Sequence, residues 1–129
     1  MSLTIAESPH SVTGTVDRVL AALEARGIEL FARVDHGGGA RAAGLQLADE
    51  ELLIFGDTRV GTLLMQGDPS IGYELPLRVL VWDDGGHTRI GYRPPSELAD
   101  DYGVADHLEV LERMDQLLAQ IVAESVAPA

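Results

Sequence analysis

Asp35 and His36 are neighbours in the chain, a carboxylate beside an imidazole, and together they are the raw material of an acid–base pair working near neutral pH. Such a pair would serve a small hydrolase or isomerase. Adjacent residues of an extended chain point to opposite faces, however, so the same two residues also read as a local turn or helix cap. A second set, Asp57, Arg59, Glu74 and Arg78, brackets an apolar segment broken by Gly56, Gly61, Gly67, Pro69, Gly72 and Pro76. Two acids and two guanidiniums brought to one end of a sheet either orient a polar ligand through bidentate contacts or form an ion-pair cluster that holds the loop. Met65, inside that segment, suits an irregular core or an adaptable binding surface. Trp82 and Tyr92 are expected to pair near a hairpin, where they either rim a pocket or touch a partner.

Other chemistries find less support. His10, His36, His87 and His107 have neither i,i+4 nor HxH spacing, so surface positions are expected, with no metal site and no cofactor. The chain has no Cys, which excludes thiol nucleophiles, thiolate zinc and disulfides. Gly37, Gly38 and Gly39 meet neither Walker nor dinucleotide spacing, so turn chemistry is favoured over a phosphate cradle.

The 129 residues suit a single domain, 1–129, with 46% hydrophobic and 23% charged residues. A formal charge of −12, with every basic residue an Arg, repels a phosphate backbone or anionic membrane, so neither is an expected partner. The first residues lack a basic start and a signal-length apolar run, and no later run approaches the roughly 20 residues of a membrane span. A cytoplasmic location is the expectation.

The elements that must position these residues can be read from their periods. Leu3 to Glu7 alternates as a strand, and Val12, Val16, Val19, Leu20 and Leu23 recur at helical spacing before Gly27. Ile28, Leu30, Ala32 and Val34 share one face of a second strand, which ends at the three glycines, a mobile or bent link followed by a helical turn to Ala43. Leu52 to Phe55 and Leu77 to Trp82 are inner strands. Asp83-Asp84-Gly85-Gly86 is a hairpin turn returning through Thr88 to Arg93. Pro94-Pro95-Ser96 opens a short helix, and Asp106 with Glu109 has the form of a capping box before a final helix to about Glu124 and a frayed tail from Val126. The expected fold is α+β, a two-layer, mainly antiparallel sheet with its longer helices on one face. Its inner strands are apolar on both sides, and a second copy is the simplest cover for the other face.

Asp35-His36, Ala40, Gly44, Ile54-Phe55-Gly56, Gly61, Leu64-Met65, Pro69, Leu75-Pro76-Leu77 and Tyr92, in that order and spacing, resemble the family called domain of unknown function 302 from about Thr15 to Ile121. The resemblance implies a compact α+β domain like the TATA-binding-protein fold, present once and commonly paired as a homodimer, without DNA binding. It supplies no activity and no catalytic residues. That family usually carries Asn-Pro after the Phe-Gly, whereas this chain has Asp57-Thr58. The expected function is therefore a homodimeric domain that binds a small, partly apolar molecule or a protein partner without catalysis, with ligand contacts among Asp57, Arg59, Met65, Glu74, Arg78 and Tyr92. The alternatives are an enzyme built on Asp35 and His36 and a module that only self-associates.

Overall fold

The computed structural model describes residues 3–129. Met1 and Ser2, part of the leader reading above, lie outside it. Strand β1 (Thr4–Ser8) leads into helix α1 (Val12–Ala25), then β2 (Glu29–Asp35), α2 (His36–Ala42), β3 (Glu50–Gly56), α3 (Thr58–Gly67), β4 (Leu77–Asp84), β5 (His87–Tyr92) and α4 (Leu108–Ser125). Short 3-10 turns at Pro69–Tyr73, Pro95–Asp100 and Ala105–His107 fill the connections. The five strands form one sheet in the order β1-β5-β4-β3-β2, antiparallel throughout, so β1 and β2 are its two edges and the β1-α1-β2 connection spans its width.

Period decides which face each residue serves. Leu53, Phe55, Val79, Val81 and Ile90 alternate onto one face and are completely buried against Val16 and Val19 of α1 and Leu111 and Ile121 of α4. Each such aliphatic side chain contributes about 1.5–3 kcal/mol by leaving water. The other face carries a continuous row across all five strands, Ile5, Gly91, Leu80, Leu52 and Val34. Ile5 and Val34 are exposed there and Leu52, Ile54, Leu80 and Trp82 are only half-buried.

Local chemistry sets the ends of the elements. Ser11 caps α1 through Gly14 N (2.9 Å), and Gly27, with φ +65°, ends it in the left-handed conformation that glycine adopts without steric cost. The hairpin turns on Gly85 and Gly86, both with positive φ, and Asp83 Oδ1 accepts from Gly86 N at 2.7 Å.

Several expectations change. A bulge at Phe31 breaks the alternation of β2, so Leu30 opposes Phe55 on the helix side whereas Ala32 and Val34 oppose Ile54 and Leu52 on the other; the four apolar residues do not share one face. The three glycines are not a bent link but lie inside α2. A Cβ on Gly37 would meet Ala48 O at 3.1 Å, and one on Gly38 would collide with the Asp35 carboxylate that caps the helix. Asp106 forms no cap, because the 3-10 turn carries the chain past it and α4 starts at Leu108. The tail is held as far as Ala127, whose carbonyl lies 2.7 Å from His10 Nε2. Trp82 and Tyr92 lie on opposite faces of the sheet: Trp82 is opposite Arg89, whereas Tyr92 follows Ile90 into the core.

Candidate functional site

The connection from β3 to β4 builds the site. Phe55 pairs with Leu77 at the end of the sheet, and between them the chain turns out through α3 and the Pro69–Tyr73 turn before returning. Leu64 and Ile71 are fully buried and anchor this excursion to the core. Its backbone is otherwise fastened by acids: Asp57 Oδ1 accepts from Arg59 N (2.9 Å) to start α3, and Asp68 accepts from Ser70 N (3.0 Å), Ser70 Oγ (2.6 Å) and Gly103 N (2.8 Å). These hydrogen bonds, from Arg59 N in the first case and chiefly Ser70 Oγ in the second, hold both carboxyls below the usual aspartate range.

Beneath the excursion lies a cavity of about 250 Å³. Ile28 and Phe31 form one side, Val60 and Met65 of α3 another, Leu75 and Pro76 a third, and Met114 and Leu117 of α4 the floor. Glycines let the walls stand back or close in. A Cβ on Gly56 would lie 3.0 Å from Pro76 Cβ, whereas one on Gly61 would make only ordinary contacts, 3.7 Å to Leu75 Cδ1 and 3.8 Å to Met65 Cε. Among the described residues Asp57 and Thr58 are the only lining residues with polar side chains, and both are exposed at the rim. Of the residues that carry the family resemblance, Gly56, Gly61, Met65, Leu75, Pro76 and Leu77 all line this one space.

The four charged candidates divide between two places. Asp57 is at the cavity rim, and Arg59 bonds to it with a side chain 92% exposed (Nε to Oδ1, 3.5 Å). Glu74 and Arg78 lie instead on a smaller cleft of about 120 Å³ on the other side of Leu75-Pro76-Leu77. Glu74 does not pair with Arg78. It accepts from Tyr102 Oη (3.1 Å) and faces Arg93 Nη1 (3.6 Å), and Arg93 also meets Asp101 (3.2 Å) and Glu97 (3.5 Å). Burial, and then the bond to Glu74, raises the Tyr102 phenol. These ion pairs tie the residue after β5 to the turns that follow it, and Arg93 Nε is buried without a hydrogen bond among the described residues. Arg93 and Tyr102 were not among the candidates from sequence; the acids flanking Arg93, Glu97 four residues on among them, were the available signal.

Met65 lines the cavity, whereas Tyr92 does not; it is buried in the core, where burial and the nearby Asp115 raise its phenol. Asp35 caps α2 through Gly38 N (2.8 Å), and no hydrogen bond joins it to the exposed His36 among the described residues.

The pattern of the family described as "Domain of unknown function DUF302" matches residues 4–121. The chain belongs to this family. A DUF302 crystal structure, of an uncharacterized conserved protein from Bacillus stearothermophilus, superposes with a TM-score of 0.86 over 97% of this chain and 98% of that one at 17% identity, which establishes the shared DUF302 fold. Curated relatives carry a different label. Proteins named "Fluoride-specific ion channel FluC 1" from Brucella suis and Brucella abortus are each 45% identical over 103 residues, 79% of this chain but 41% and 38% of theirs. The chain thus spans about two-fifths of the length of these relatives. No helix among the described residues is long and apolar enough to cross a membrane.

Proposed function

We propose that this DUF302 domain is a non-enzymatic, homodimeric binding module whose cavity under the β3–β4 connection holds a small apolar molecule. The single observation that carries the reading is the cavity itself: a space of about 250 Å³ walled by nine apolar side chains and three glycines. An apolar cavity of ~150 Å³ accommodates benzene, so this one has room for about ten non-hydrogen atoms. Among the described residues the lining brings together no hydrogen-bonded nucleophile and base, which favours binding over catalysis. Pairing is supported by the row Ile5, Leu80, Leu52 and Val34, which leaves apolar sheet surface in water on a lone protomer.

Calorimetric titration with n-octanol, a neutral molecule of the right size, tests the binding reading. Gly61→Leu should abolish the heat by filling the space, without loss of fold, since leucine favours a helix over glycine by about 0.8 kcal/mol. Absence of octanol binding to the unaltered protein contradicts the reading.

The names of the Brucella relatives favour a second reading, in which this chain serves as the accessory partner of a fluoride channel. Deleting the chain from its host should then change growth in fluoride. Unchanged growth removes this second role.

A further inference from the structure

We infer that the cavity selects apolar molecules with a cationic or hydrogen-bond-donating head, amines in chemical class, over those headed by a carboxylate. The inference rests on the binding reading above and adds the polarity of the ligand.

Three observations at the rim carry it. Asp57 is the only ionisable residue lining the cavity, and its two hydrogen bonds, from Arg59 N and Arg59 Nε, both fall on Oδ1, which leaves Oδ2 free to accept among the described residues. The bond from Arg59 N also keeps the carboxyl ionised well below neutral pH. A donor at the head of a bound molecule therefore meets a waiting acceptor.

An anionic head finds the reverse. No cationic side chain lines the cavity among the described residues, and Arg59, next to the rim in sequence, is bonded to Asp57 with its side chain 92% exposed. At the start of α3 the amides of Arg59, Val60 and Gly61 are already bonded to Asp57 and so are not open to an anion. A carboxylate head would sit against the Asp57 carboxylate in a chain whose net charge is −12. Met65 and Met114, flexible thioethers contributed by two different helices, adapt the apolar part to chains of differing shape.

Three ligands of matched size, n-octylammonium, n-octanol and octanoate, form the test, titrated into the unaltered protein, Asp57→Asn and Asp106→Asn. Octylammonium should bind about tenfold tighter than octanoate, with octanol between them, as expected for a half-exposed ion pair gained in one case and a like-charge contact suffered in the other. Asp57→Asn keeps a competent helix cap and should bring the three within about twofold of one another. Asp106→Asn makes the same charge change at an exposed site away from the cavity and should preserve the order. Octanoate binding as tightly as octylammonium, or an order that survives in Asp57→Asn, overturns the inference while octanol binding keeps the cavity reading. Failure of all three ligands overturns both. The ranking in the unaltered protein decides the matter even if a variant does not fold.

Discussion

The Trp82 indole lies directly over Gly91: a Cβ there would stand 3.2 Å from Trp82 Cζ3 and 3.3 Å from Cη2. Leu3 Cδ1 closes on the same spot at 3.3 Å. The glycine thus creates the seat in which the chain's single tryptophan rests on the more exposed sheet face. Gly91→Ala should lift the ring toward water, seen as a red shift of its fluorescence, with far-ultraviolet circular dichroism unchanged.

Trp82 also reports on the proposed pairing. Leu80, beside it on the same strand and face, sits mid-row between Gly91 and Leu52. Leu80→Arg places a charge at the centre of that face and should halve the mass measured by sedimentation equilibrium at micromolar concentration. A protein already monomeric before the substitution contradicts the dimer.

Stability should depend on Asp68 in a defined direction. Its folded carboxyl titrates below the ordinary value of 3.8, chiefly because Ser70 Oγ donates to it. The ionised form thus favours the folded chain, a contribution present above the unfolded value and lost as pH falls through the lower folded one. Asp68→Asn should flatten that acid-side loss, as read by urea unfolding at pH values between about 2 and 5. An unchanged slope contradicts the assignment.

Arg18 ties the two long helices together, donating from Nε to Ser125 O (3.1 Å) and from Nη2 to Glu124 O (3.2 Å) at the end of α4. Arg18→Ala should cost about 1–2 kcal/mol and speed amide exchange in the last turn of α4. Exchange rates in α1 should move less.

Features decided within a few residues were legible from sequence. The period of Val12, Val16, Val19 and Leu23, the Gly85-Gly86 turn and the stop at Gly27 depend on local sterics and one buried stripe. The opposed faces of Trp82 and Tyr92 were also within reach, since a two-residue turn with Asp84 opposite His87 sets Trp82 against Arg89 and turns Tyr92 the other way. The bulge at Phe31 was not, because it exists only through pairing with β3. The same limit applied at the site. The irregular apolar composition from Phe55 to Leu77 fits either a packed connection or the wall of a site, and of the candidates from sequence Asp57 and Met65 lie along the cavity. Glu74 meeting Arg93 rather than Arg78 depends on where β5 delivers its last residues, a tertiary fact with no local signal beyond nearby acids.

Met65 and Met114 line the cavity from two different helices, so their methyl resonances watch it directly. Titrating n-octanol into methyl-labelled protein should move both together along one saturable curve, and Gly61→Leu should erase the response. Resonances that stay fixed through saturating octanol, in a protein that remains folded, would contradict the claim that this space is a binding site.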